Sequence, residues 1–318
     1  MKLAIVNSAK ELGERALFEV KQVLKNKPDA VIGFATGATP VALYDAMVRD
    51  RKKNGTDYSS VVALNLDEYV GVEAKAANSF ASYMRVKLFD HINIQPENTF
   101  IPDGMAENLV DECARYAETV RKHRRDLQIL GIGANGHIAF NEPFTRPEEP
   151  VHIAALTAQT RADAAENFGG TENVPTYGLT MGIEEILQAE KIILLALGEH
   201  KARAVYNMIC GKDDMSCPAT ALRKHRDVTV ILDKSAAELL RVDEWRNDNY
   251  IPQPSAAIQG AEDSDSDAHG KEHGHSEETF GAEAENVLAA AAADEDGGVS
   301  AEEKAVPQNG ADGRDAEF

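Results

Sequence analysis

The sequence predicts a three-layer α/β/α fold: a doubly wound, mostly parallel, Rossmann-like sheet in a single domain, followed by a disordered acidic tail. Three observations carry this. Short apolar runs alternate with amphipathic stretches from the start of the chain to about residue 232, the pattern of a parallel sheet covered by helices on both faces. Four of the apolar runs end in short segments rich in glycine and polar groups, as strand ends that carry a ligand site do. Charge is uneven: of a net −20, residues 255–318 hold seventeen Asp and Glu against three Lys and Arg, leaving a mildly acidic body.

In chain order, "KLAIV" (2–6) reads as a strand, and "AKELGERALFEVKQVLKN" (9–26) as a helix with Leu12, Ala16, Val20, Val23 and Leu24 on one face. "AVIGFAT" (30–36) is the next strand. "TPVALYDAMVRDRKKNG" (39–55) is a helix with Thr39 as N-cap and Pro40 at its first position. "VVALNLDEY" (61–69) reads as one strand, and 79–92 and 108–123 as helices. Strands follow at 127–132, 191–197 and 228–232, with a helix over 200–210. The catalytic body is assigned to residues 1–250. From 251 to 318 large apolar residues are too sparse to offset the entropy of ordering, so this segment is expected to be a disordered acidic tail.

Composition narrows the partners. Neither part of the chain has the basic excess that a phosphate backbone demands, so no nucleic-acid partner is expected. No apolar run approaches the roughly 20 residues of a spanning helix, and "MKLAIVNSAKEL" has no cleavable-leader pattern, which predicts a cytoplasmic protein without membrane partners. Cys113, Cys210 and Cys217 form no paired spacing and are expected as free thiols. No His, Cys or carboxylate set in the body has ligand spacing, so no metal is expected.

The four strand ends hold the candidate chemistry. "GFATGATP" (33–40) places Thr36, Gly37, Ala38 and Thr39 before a helix, whose free N–H groups and positive end suit a phosphate. "NLDEYVG" (65–71) ends a strand with Asp67 and Glu68. Neighbouring strand residues point to opposite faces, so at most one carboxylate faces a cleft, where partial desolvation would fit it as a general base. "LALGEHKARAV" (195–205) delivers Lys201 at a helix start, a point charge for a phosphate.

"GIGANGHIAFNEP" (131–143) has glycines in dinucleotide spacing, yet Pro143, Pro147 and Pro150 occupy the place of the required helix and no acidic residue closes the next strand. No nucleotide cofactor is therefore expected. The glycines instead expose Asn135, His137 and Glu142 as a proton-handling group.

In this order and spacing, "ATGATP", "NLDEYVG", "GIGANGHIAFNEP" and "LGEHKA" resemble the glucosamine-6-phosphate deaminase family over about residues 1–245. The resemblance implies a cofactor-independent enzyme of amino sugar catabolism, a hydrolase acting on a C–N bond. Glucosamine 6-phosphate would be opened, isomerised from aldose to ketose and released as fructose 6-phosphate and ammonium. It further implies that Asp67 is the base between C2 and C1, and that His137 opens the ring with Glu142 orienting it and Asn135 assisting by hydrogen bonding. Thr36, Gly37, Ala38, Thr39 and Lys201 would hold the phosphate.

Two departures stand out. Many family members carry Asp where this chain has Asn135, and an arginine that binds phosphate where this chain has Glu166; Lys201, Thr39 and backbone amides would then suffice, or Arg161 or another base would substitute. The competing readings are a 6-phosphogluconolactonase-like hydrolase and a sugar-phosphate sensor without catalysis. Homo-oligomerisation is open in all three.

Overall fold

In the computed structural model residues 1–240 are described; the expected tail, and the last ten residues of the body assigned to 1–250, lie outside them. The first strand, β1 (Lys2–Val6), leads into α1 (Ala9–Asn26), capped by the Ser8 hydroxyl, which accepts from the Glu11 N–H at 3.2 Å. α1 buries Leu12, Ala16, Val20 and Leu24 as its periodicity requires, each large aliphatic contributing about 1.5–3 kcal/mol of burial. β2 (Val31–Phe34), α2 (Val41–Asn54) and β3 (Val62–Asn65) continue the alternation. After them come β4 (Asp67–Tyr69), α3 (Phe80–Lys87), β5 (Thr99–Phe100), α4 (Leu109–Lys122) and β6 (Leu127–Leu130). The chain then forms β7 (His152–Ala155), α5 (Ala158–Phe168), β8 (Tyr177–Thr180), α6 (Ile183–Leu187), β9 (Ile192–Ala196), α7 (Ala202–Cys210) and β10 (Val228–Asp233).

Seven strands form the main sheet in the order β1-β10-β9-β6-β2-β3-β5, every neighbouring pair parallel. From β2 the chain moves outward through β3 to β5; from β6 it moves the other way through β9 and β10. Winding therefore reverses between β2 and β6, and a crevice opens where loops diverge at the carboxyl ends of such neighbours.

A second, antiparallel sheet, β4-β8-β7, stands apart. This corrects the expectation of one strand over 61–69. The chain leaves the main sheet at Leu66, whose N–H bonds Phe34 O in that sheet at 3.2 Å while its C=O accepts from Met181 N–H beside the small one at 2.8 Å. Tyr69 from β4 packs with Phe80, Phe140 and Phe168 at ring-centroid distances of 4.6, 5.3 and 5.1 Å, giving the small sheet its own apolar cluster.

Two helix starts and ends also differ from expectation. The helix expected over 79–92 stops at Lys87, and a single 3-10 turn follows at Phe89–His91. α2 begins at Val41 with Pro40 in the N-cap position, and no side chain caps it, so Thr39 is not the cap. That leaves the Thr39 hydroxyl uncommitted to the helix. All three cysteines are free thiols.

Candidate active site

β9, β6, β2 and β3 are consecutive neighbours in the main sheet, and each of the four candidate segments follows one of them. Being parallel, they end at one edge, spanning about 15 Å at the usual strand spacing. The four segments thus converge on the crevice where the winding reverses.

In the β2–α2 loop Gly37 has φ +109° with open space where a Cβ would be, a conformation that favours glycine. Gly37 and Ala38 are exposed, Thr36 and Thr39 half-buried. Two tyrosines fix the loop: Tyr83 Oη donates to Gly37 O at 2.6 Å and Tyr44 Oη to Ala35 O.

Asp67 and Glu68 part as strand geometry demands. Glu68 Oε1 accepts from the N–H groups of Tyr69 and Phe80, and Oε2 from that of Ala81, each at 2.9 Å, so this carboxylate closes the first turn of α3. Burial raises its pKa against those hydrogen bonds. Asp67 has no such cradle. Burial, with the Glu68 charge beside it, pushes Asp67 up to about 8, the value of a base poised near neutrality. Its charge also acts on the buried Tyr44 that holds the β2–α2 loop.

After β6 the chain makes a tight loop. A Cβ on Gly133 would meet the His137 ring at 2.4–2.6 Å, so the imidazole lies against bare backbone. His137 Nδ1 stands 3.4 Å from Glu142 Oε2. Glu142 also accepts from Asn135 Nδ2 at 2.7 Å and from Thr157 N–H at 3.1 Å. Burial alone would raise the Glu142 pKa; the bond and charge of His137, with Thr160 and Asn135, instead hold it down to about 2. A carboxylate that stays ionised only accepts, so Nδ1 carries the imidazole hydrogen toward it and Nε2 is the nitrogen left for exchange. Asn135 hydrogen-bonds both neighbours: its Oδ1 accepts from the His137 backbone N–H at 3.1 Å and its amide donates to Glu142 at 2.7 Å.

One strand ties Asp67 to the loop that carries His137 and Glu142. Asp67 pairs across from Thr180 of β8, and Thr180 Oγ1 accepts from the Phe140 N–H at 3.0 Å. Asn141 Nδ2 donates to Met181 O at 2.8 Å. These bonds hold a loop that keeps Ala139 at φ +52° and Phe144 at φ +73°, left-handed positions that cost about 1–2 kcal/mol each for non-glycine residues.

Lys201 ends a 3-10 turn, Glu199–Lys201, in the N-cap position of α7. Burial lowers its pKa, and the charge of Asp163 opposes that. Arg161 Nε and a terminal nitrogen donate to Val174 O and Thr171 O at 3.2 and 3.1 Å. Glu166 is exposed. Thr157 and Thr160, which reach Glu142 and His137, have no titratable group to draw notice in the sequence; the only signal was a Thr after an apolar run, the pattern of a helix N-cap.

The chain is similar to known proteins over most of its described length. The profile of the family described as glucosamine-6-phosphate isomerases/6-phosphogluconolactonase matches residues 6–231. A protein of Halalkalibacterium halodurans named glucosamine-6-phosphate deaminase is 44% identical over 228 residues, covering 71% of this chain and 92% of its own. One of the same name from Thermoanaerobacter sp. (strain X514) is 43% identical over 241 residues, 76% and 95% of the two chains. Among solved structures, one described as a monomeric glucosamine-6-phosphate deaminase superposes with a TM-score of 0.74 at 40% identity, covering 75% of this chain and all of that one. The 6-phosphogluconolactonase of Trypanosoma brucei shares the fold, with a TM-score of 0.63 at 18% identity over 74% of this chain and 97% of its own. The chain belongs to the glucosamine-6-phosphate isomerase/6-phosphogluconolactonase family.

Proposed function

We propose that the protein is a glucosamine-6-phosphate deaminase, converting glucosamine 6-phosphate and water into fructose 6-phosphate and ammonium. The observation that carries this reading is the pairing, at one sheet edge, of a base with a raised pKa, Asp67, and an imidazole oriented by an ionised carboxylate, His137 with Glu142. Proton transfer at carbon needs the first, and opening a hemiacetal ring needs the second.

In this reading His137 Nε2 takes the proton of the C1 hydroxyl and delivers it to the ring oxygen, producing the open aldehyde. Asp67 then takes the C2 hydrogen while the carbonyl oxygen gains a proton from the C2 ammonium, forming an enolamine, and returns the hydrogen to C1, leaving an iminium at C2. Water adds there, the carbinolamine collapses, and ammonium leaves. Because one water is consumed and one C–N bond breaks, the net reaction is a hydrolysis, although its central step is an isomerisation. The phosphate rests against Thr36, Gly37, Ala38, Thr39 and the α2 N-terminus, with Lys201 as its counter-charge.

Purified protein offered glucosamine 6-phosphate and 6-phosphogluconolactone in parallel should release ammonium from the first and no acid from the second. Acid release alone would replace this reading with a lactonase, and binding without either product would make the protein a sensor.

Lys201→Ala should raise KM for glucosamine 6-phosphate by more than it lowers kcat, since a contact to the non-reacting phosphate is largely uniform binding. Glu166→Ala, on the exposed side of α5, should leave KM unchanged; a comparable rise there would move the phosphate to α5.

A further inference from the structure

Two hydroxyl groups from the start of α5 reach the His137–Glu142 pair. Thr160 is 6% exposed, and its Oγ1 lies 3.3 Å from His137 Nδ1. Thr157 Oγ1 lies 3.3 Å from Glu142 Oε1 and 3.1 Å from Thr160 Oγ1, and it caps α5 by accepting from the Thr160 N–H at 3.2 Å.

Proton counting orders these contacts. An ionised Glu142 only accepts, taking hydrogens from Asn135 Nδ2 and the Thr157 N–H, and the Thr157 hydroxyl donates to Glu142 or to Thr160 Oγ1. Thr160 Oγ1, 3.3 Å from Nδ1, is left to offer a lone pair to the Nδ1 hydrogen. That hydrogen then faces two acceptors.

We propose that Thr160 is a positioning residue for His137: its hydroxyl and Glu142 share the Nδ1 hydrogen, fixing the imidazole in one tautomer and one plane. The proposal rests on His137 being the ring-opening group. Without Thr160 the ring keeps Gly133 beneath it and one carboxylate oxygen at 3.4 Å, a long contact that allows rotation.

Thr160→Val keeps the branched shape and removes the hydroxyl, whereas Thr160→Ser keeps the hydroxyl and removes the methyl. The expected result is a kcat about tenfold lower in Thr160→Val with KM within about twofold of wild type, and recovery to within about threefold in Thr160→Ser. Nitrogen NMR of His137 in the intact chain should show Nδ1–H predominating in wild type and Nε2–H appearing in Thr160→Val. An unchanged kcat, a kcat loss with unchanged nitrogen shifts, or a Thr160→Ser enzyme as impaired as Thr160→Val would each overturn the proposal. Should wild-type protein fail to turn over glucosamine 6-phosphate, the deaminase reading falls. The nitrogen shifts then decide alone: a tautomer change in Thr160→Val upholds positioning, and its absence ends it.

Discussion

Asp67→Asn is expected to lose about 10²- to 10⁴-fold in kcat while gaining stability at alkaline pH. The side chain keeps its size, but no group remains to take the C2 hydrogen. Exchange separates this from a general loss of the site. With fructose 6-phosphate and ammonium in deuterated water, wild type should exchange hydrogen at C1 and Asp67→Asn should not, while ring opening persists. Glu68 cannot take over, because both its oxygens are held by the amides of Tyr69, Phe80 and Ala81. An Asp67→Asn enzyme exchanging at the wild-type rate would remove Asp67 from the role.

The stability half follows from linkage. The folded pKa of Asp67 lies above the ordinary carboxylate value of 3.8, at about 8, so across that interval the folded state binds more protons than the unfolded one. Stability on this account falls as pH rises from 4 to 8 and is flat beyond. Asn carries no charge to bury. Its melting temperature should exceed that of wild type at pH 9, and the gap should close as pH falls toward 4.

Glu142→Gln is expected to be as damaging, for a different reason. An amide brings a donor to a place already surrounded by the donors of Asn135, Thr157 and His137, and it can reverse the imidazole tautomer. Loss of the orienting carboxylate in a His–carboxylate pair costs about 10⁴-fold in the serine-protease triad, and a fall of 10² or more in kcat is expected here. The folded pKa of Glu142 is depressed to about 2, so its contribution to stability is present above 4.5 and lost as pH falls toward 2. Acid unfolding of Glu142→Gln should therefore lack the part of the wild-type transition that lies below pH 4.5. Ammonium release within threefold of wild type would refute the orienting role.

Periodicity located β1, β2, β6, β9 and β10, and α1, α2 and α4, because each buries the face its pattern exposes. The candidate site was readable for another reason: four strand ends carried titratable groups or glycines in short runs, and parallel topology forces such ends together. Of the small sheet only the strand at 151–156 was legible. "DEY" and "YGLT" are too short to show a period of two, and Asp67 meets Thr180 only through pairing far along the chain. Asn135 could be found by residue type, but which of its atoms faces the carboxylate is set by the loop's hydrogen bonds. Thr157 and Thr160 were invisible because their chemistry comes entirely from where α5 begins.

The switch of sheets at Leu66 leaves the base with no tolerance for an indel. Side chains alternate along β4, so a slip of one residue in its pairing with β8 exchanges the two carboxylates between faces. Glu68 would enter the cleft on a side chain one methylene longer, and Asp67 would turn to amides of α3 that it is too short to reach. Substitutions around Leu66 that preserve size should be absorbed. A residue inserted or deleted there should abolish proton transfer and take the Glu68 carboxylate away from the first turn of α3 in one event, so the length of this crossing, more than its composition, is what selection has to hold constant.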